Sequence, residues 1–412
     1  MKHLYFLLLL VLPGLAAAQL APVDTTGGRY YQPVFSGVSI TRNVTYGSAP
    51  TYAGTTQQLL LDVYEPSSDT VKRRPLIVFA HGGGFVTGTK ADAYPIAFCT
   101  RLARLGYVVA SIEYRLGFVF TGPGGLLPGT ADTTGLAQAA IRGMQDMRAA
   151  VRFFRQDAAA ARLYRVHSNY IVAAGSSAGA FMALQTGYFD KASEAPAFID
   201  LAALGGIEGT GGNPNYSSAV AAVINLSGAT QSPDLLEAGN VPLCSAHGTA
   251  DATVPYFQGK VGSLLPPKYV YGSGRLNPRA TALGIPNVLR RFSRAGHVPF
   301  ETSLPYADST FWTVRDFLRP LLRRPGAALA ARSSLAAATF QLYPSPATTA
   351  VHLVLPATWQ QLGPAEVLDA AGRVVRRFQP TAQQLELPRN ELPAGIYAVR
   401  FTGQVPVRFA FQ

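Results

Sequence analysis

Two hydrophobic rhythms alternate along most of the chain. Short apolar runs lie at Pro75 to Ala80, Tyr107 to Tyr114, Tyr170 to Ala174, Val220 to Leu226, Val241 to Ala246 and Asn287 to Phe292. Each is of strand length and bounded by turn-forming residues. Ser39 to Tyr46 and Gln58 to Tyr64 read as opening strands. Between the runs the period changes. Ala137 to Ala161 and Tyr306 to Leu322 place apolar residues at helical spacing. Strands alternating with helices predict an α/β fold built on a mostly parallel sheet, and no tandem repeat interrupts the pattern.

The rhythm breaks near residue 322. Residues 323–337 are rich in Pro, Gly, Ala and Ser and read as a linker. Residues 338–412 carry only short β-like runs separated by Pro and Gly, predicting a small all-β sandwich domain. The start of the chain is different again. Met1-Lys2-His3 precedes an apolar run, Leu4 to Leu12, then Pro13-Gly14 and Ala16-Ala17-Ala18. A basic start, a short apolar core and small residues at a cleavage point predict a signal peptide over residues 1–18. The run is shorter than the ~20 residues a membrane span needs. The expected division is therefore signal peptide 1–18, catalytic domain 19–322, linker 323–337 and β domain 338–412. Two connections in the catalytic domain, residues 117–134 and 207–218, are long and Gly/Pro-rich, as lids and substrate loops often are.

The composition is that of a packed globular protein: 48% hydrophobic and 14% charged. A formal net charge of +12 could point to nucleic acid, but the basic residues are scattered and lack interleaved aromatics. No nucleic-acid partner is expected. The two cysteines, Cys99 and Cys244, and the few histidines lack metal-ligand spacing, so neither a metal nor an organic cofactor is implied.

The chemistry concentrates at a few positions. Gly175-Ser176-Ser177-Ala178-Gly179 follows an apolar strand and precedes a helix-like run. A G-x-S-x-G sequence between strand and helix makes a tight turn that lifts the central hydroxyl above the sheet, so Ser177 is the candidate nucleophile. His81-Gly82-Gly83-Gly84-Phe85 ends an earlier strand. Successive glycines leave backbone N–H groups unobstructed, so Gly83, Gly84 and the Ala178 N–H are candidate oxyanion donors. A phosphate loop would need a G-x-x-x-x-G-K-[ST] pattern, which this loop lacks. Elimination among six histidines leaves His247 and His297 as candidate bases. His297, in a loop after the last strand, is the better placed, and Asp251, just past a strand end, is the matching acid ahead of Asp190, Asp200 and Asp234. The chain order Ser, Asp, His fits this reading. Phe85, Phe118 and the 117–134 loop are candidates to shape the substrate pocket.

These four segments together resemble the α/β-hydrolase carboxylesterases, in particular the HGGG-type and feruloyl/acetylxylan esterase-like enzymes, over residues 35–322. The resemblance implies a Ser-His-Asp acyl-enzyme mechanism on an ester of a small molecule or polysaccharide. Its strand order also separates Cys99 from Cys244, so both are expected to stay free thiols. A peptidase or an inactive homologue on the same fold are the rival readings. Leu342-Tyr343-Pro344-Ser345-Pro346-Ala347, Val367 to Val375 and Leu392 to Phe401 resemble the type A sorting domain of the type IX secretion system, with Ser345 where Asn is usual. That resemblance implies the secretion machinery as a partner and a secreted or cell-surface location, with no transmembrane helix once the signal is removed.

Overall fold

A computed structural model describes residues 23–118, 131–261, 264–265, 268–322, 341–343, 347–355, 364–369, 373–380, 382, 384–390, 392–401 and 407–412. The expected signal peptide, the linker and most of the 117–134 loop lie outside these residues. The chain divides into two units, Met1–Arg332 and Ser333–Gln412.

In the first unit eight described strands form one sheet: β1 (Val38–Pro50), β2 (Thr56–Pro66), β3 (Arg74–Ala80), β4 (Val108–Ile112), β5 (Val166–Ser176), β6 (Ala222–Leu226), β7 (Leu243–Gly248) and β8 (Asn287–Phe292). Their order is β1-β2-β4-β3-β5-β6-β7-β8. β1, β2 and β4 pair antiparallel, and every later pairing is parallel. This is the α/β-hydrolase sheet. Both faces are covered, which explains the unbroken apolar runs of the central strands. In β3, Leu76, Val78 and Ala80 enter one core, while Ile77 and Phe79 enter the other. The first core packs under α2 (Thr133–Ala159) and α3 (Ala178–Tyr188), with Met144, Ala150, Met182 and Leu184. The second packs under α1 (Ala93–Arg104) and a C-terminal helix, Leu304–Leu321, with Phe98, Leu102, Val314 and Leu318. Cys99 and Cys244 share the second core as free, fully buried thiols, and burial pushes both well above the ordinary thiol pKa. No described helix is long and apolar enough to cross a membrane.

The connection over 207–218, one of the two expected as a lid or substrate loop, is held against α2 together with the residues just before it. Buried arginines and a glutamine on α2 hold it down. Gln145 donates to the Leu204 and Gly206 carbonyls. Arg148 and Arg152 share the Glu208 carboxylate at 2.6 and 2.7 Å, and Arg152 also donates to the Gly212 carbonyl. Taking guanidinium groups out of water is costly unless they are paired, so this many partners fixes the loop rather than leaving it free to open.

The second unit contains two antiparallel sheets, one of residues 341–343, 350–354 and 384–388, the other of 365–368, 374–378, 395–401 and 407–411. Its core gathers Val351, Leu353, Val367, Leu387, Val399, Phe401, Phe409 and Phe411. The residues of the expected sequence signature at 344–346 and 370–372 lie outside those described.

Candidate active site

β5 delivers Ser177. The serine sits at φ 50°, ψ −116°, between β5 and α3. A non-glycine residue there is strained by about 1–3 kcal/mol and persists only when its surroundings over-determine it. They do. The Ser177 N–H donates to the Leu226 carbonyl at the end of β6. A Cβ on Gly175 would lie 2.2 Å from the Gly179 carbonyl, and one on Gly179 would lie 2.1 Å from the Ala80 carbonyl. Both glycines are thus set by contact with backbone that cannot yield. Gly179→Ala is expected to cost about 2–4 kcal/mol of stability in urea unfolding, the reverse of an ordinary Gly→Ala change in a helix, which stabilises by about 1 kcal/mol.

Above this turn, Ser177 Oγ lies 2.8 Å from His297 Nε2, and His297 Nδ1 lies 2.7 Å from Asp251 Oδ2. An ionised carboxylate only accepts, so Nδ1 carries the ring proton and Nε2 is left to accept from the Ser177 hydroxyl. Burial alone would push the Asp251 carboxyl up. Contacts from His247 and His297 and the Val254 N–H outweigh it and hold the carboxyl well below the usual carboxylate range. Its other oxygen accepts the N–H groups of Thr253 and Val254 at 2.9 and 2.8 Å. Of the rival acids, Asp200 accepts the Ala203 N–H of its own loop and Asp234 pairs with Arg279 on a later helix.

His247 is closer to this arrangement than expected. Its Nε2 lies 3.0 Å from the Val254 carbonyl and 3.2 Å from Asp251 Oδ2. Both partners only accept, so Nε2 carries the proton, and the better-directed bond goes to Val254. Nδ1 then accepts from Ser273 Oγ at 2.9 Å, which in turn accepts from Asn225 Nδ2 at 3.1 Å. The chain of buried bonds fixes the loop that carries Asp251. We expect His247→Ala to slow turnover about tenfold through a displaced Asp251, a smaller loss than at His297. Steady-state kinetics on a chromogenic ester would measure it.

The glycine loop follows β3. A Cβ on Gly82 would touch Ser177 Cβ at 3.3 Å. Gly83 and Gly84 have φ of 108° and 61°, and the Gly83 carbonyl accepts from Val86 and Thr87 N–H in a tight turn. His81 fastens the loop: Nδ1 donates to the Gly82 carbonyl at 2.7 Å, and its ring stacks on Tyr114. The Tyr114 hydroxyl donates to the His81 and Gly82 carbonyls. Sequence reasoning missed Tyr114, which looked like the last residue of a strand. It also missed Glu301, whose carboxylate accepts the buried Ser176 hydroxyl beside the nucleophile. A sequence separation of 125 between Ser176 and Glu301 leaves no spacing signal.

A cavity of about 140 Å³ opens at Ser177. Gly84, Phe85 and Ala178 border it near the serine, whereas Gly83 does not. Leu136, Ala137, Ala140 and Ile141 of α2 form one wall, and Phe181, Phe189, Pro196, Val254 and Val270 supply most of the rest. Thr133, Gln185, Gln231, Thr253 and Lys268 are its polar members. Phe85 lines the cavity, and Phe118, the last described residue before 119–130, packs in the core.

Residues 61–124 and 135–240 match the BD-FAE family model, spanning the glycine loop and the nucleophile turn. The chain carries a BD-FAE domain. That domain is an esterase-like α/β hydrolase, and Asp251 and His297 lie beyond the matched residues. Residues 341–406 match the secretion system C-terminal sorting domain. Gut esterase 1 of Caenorhabditis briggsae is 32% identical over 99 residues, 24% of this chain and 16% of the relative. Gut esterase 1 of Caenorhabditis elegans is 30% identical over 99 residues, again 16% of its length. The chain thus spans under a fifth of these relatives. Among solved structures, the apo form of Thermogutta terrifontis esterase 2 is 22% identical, covering 70% of this chain and 96% of that chain at a TM-score of 0.47. A truncated carbohydrate esterase from gut microbiota is 18% identical, covering 70% and 99% at a TM-score of 0.47.

Proposed function

We propose that the protein is a secreted carboxylic ester hydrolase in which Ser177 is the nucleophile, His297 the general base and Asp251 the carboxylate that orients it. The observation carrying this reading is the continuous relay of 2.8 and 2.7 Å contacts from Ser177 through His297 to Asp251 at the mouth of an apolar cavity. Ser177 Oγ attacks the ester carbonyl as His297 Nε2 takes its proton. The tetrahedral oxyanion is held by the Gly83, Gly84 and Ala178 N–H groups. Collapse breaks the C–O bond to the alcohol, which leaves with the proton from His297. Water, deprotonated by the same ring, then attacks the acyl-enzyme and frees Ser177.

The cavity indicates the acyl group. It is close in size to the ~150 Å³ apolar cavity that admits a benzene ring. An aromatic acyl group or a short alkyl chain suits it, in keeping with acyl or feruloyl esters borne on polysaccharide. Each buried methylene contributes roughly 0.8 kcal/mol, so kcat/KM is expected to rise about three- to fourfold per methylene from acetyl to butyryl p-nitrophenyl esters. Ala137→Phe, which fills the wall, should erase that rise and leave acetyl ester hydrolysis. A flat chain-length profile in the unaltered protein would remove the acyl-pocket reading, and turnover of peptide amides but not esters would remove the esterase reading. The tail at 338–412 supplies the second half of the proposal: recognition by the type IX secretion machinery after a signal peptide at residues 1–18 has been removed. A chain ending at residue 325 is expected to hydrolyse a soluble ester but to remain inside its native host, as fractionation would show.

A further inference from the structure

The opposite end of the central strands from Ser177 holds a second cavity, of about 410 Å³. It sits at the N-terminal ends of β3 and β5, where Arg74 and Val166 begin those strands. β5 runs from that end to the nucleophile turn, so at about 3.3 Å per residue the two cavities are roughly 30 Å apart. Five of the eight residues lining it are basic: Lys72, Arg73, Arg162, Arg165 and the buried His167. None is acidic.

Of the neighbouring carboxylates, two are already paired with other arginines, and the third, Asp157, is a single negative charge beside the cationic Lys72, Arg73, Arg162 and Arg165. Asp69 is paired with Arg29 at 2.6 Å, and Glu65 is paired with Arg74. Asp157 accepts the Leu163 and Tyr164 N–H groups. Among the described residues no carboxylate pairs with Lys72, Arg73, Arg162 or Arg165, and Arg165 donates instead to the Asp69 carbonyl at 2.7 Å. Like charges converging on one cavity in excess of counter-charge raise the local potential and favour an anion there. The volume lies in the range of small-molecule sites, more than a single inorganic ion fills. Ala158, Val166 and Ser168 complete the lining, with no aromatic ring on which a nucleobase could stack.

We propose that this cavity is an ancillary binding site for an acidic sugar unit of a polysaccharide, a uronate or its sulfated or phosphorylated counterpart, tethering the polymer away from the hydrolytic centre. The anion site stands on its own lining, whereas the choice of a polysaccharide as its ligand rests on the proposed esterase reading. The test uses the full chain and polygalacturonate as probe, with neutral dextran, duplex DNA, and vesicles of phosphatidylcholine and phosphatidylglycerol in equal parts as comparators. Binding is expected to polygalacturonate alone and to weaken with salt. The variant Lys72→Glu/Arg73→Glu/Arg162→Glu should bind at least about tenfold more weakly yet hydrolyse p-nitrophenyl butyrate like the unaltered protein, which also reports that it is folded. Should the variant not fold, acetylation of Lys72 in the unaltered protein, read by mass spectrometry, is expected to be suppressed by polygalacturonate. Unchanged binding by the folded variant, or unprotected Lys72, overturns the site. Binding of DNA or vesicles at least as tight as that of polygalacturonate overturns the ligand class. Failure of the ester reaction with binding intact would count against the proposed hydrolase alone.

Discussion

Replacing Ser177 with alanine is expected to lower ester hydrolysis by about 10⁴-fold or more while leaving the protein folded. The hydroxyl has one described hydrogen-bond partner, His297, so its removal leaves the sheet, the glycine contacts and the Ser177 N–H bond to Leu226 in place. Stability should stay within about 0.5 kcal/mol of the unaltered protein. Residual catalysis would come from the oxyanion donors and substrate binding, which persist without a nucleophile. Thermal melting beside p-nitrophenyl ester kinetics separates loss of chemistry from loss of fold. An alanine variant that keeps most of its activity would mean a different group attacks.

The second large effect is expected at the base and its orienting acid. His297→Ala should cost about as much as Ser177→Ala, because the two act as a unit and the second loss adds little to the first. Asp251→Asn is more informative. The amide oxygen can still accept the Thr253 and Val254 N–H groups, so the loop keeps its shape. The amide nitrogen then faces His297 Nδ1 and donates to it. That moves the ring proton to Nε2, where it can no longer accept from Ser177. A wrong tautomer in otherwise intact geometry is expected to cost roughly 10⁴-fold in kcat. The double variant Ser177→Ala/Asp251→Asn should be hardly worse than Ser177→Ala alone. Additive losses would indicate that Asp251 serves stability rather than the relay.

The parts of the fold that were legible in the sequence are those where local chemistry leaves little choice. The central strands announced themselves because both faces are buried, and the nucleophile turn because only glycine fits at 175 and 179. His297 emerged by elimination among few histidines. What stayed hidden depends on contacts between distant residues. Ser176 meets Glu301, and Tyr114 closes on the glycine loop, through pairings that no local pattern encodes. His247 and Asp251 are four residues apart, but past a strand end rather than on a helix, so spacing could not show that they touch. The 207–218 connection has the Gly-rich composition of a lid, yet it lies fastened to α2. What pins it is a set of arginines on α2 that, read along the sequence, belonged only to a scattered basic surplus.

The central claim is that Ser177 is an activated nucleophile, and reaction with a fluorophosphonate probe tests it most directly. The probe phosphonylates only a serine whose neighbouring base can take its proton. Peptide mapping by mass spectrometry should find one adduct, on Ser177, with hydrolysis lost in proportion to labelling and no adduct in His297→Ala. A folded protein that hydrolyses esters without labelling, or that labels at another serine, would contradict the account.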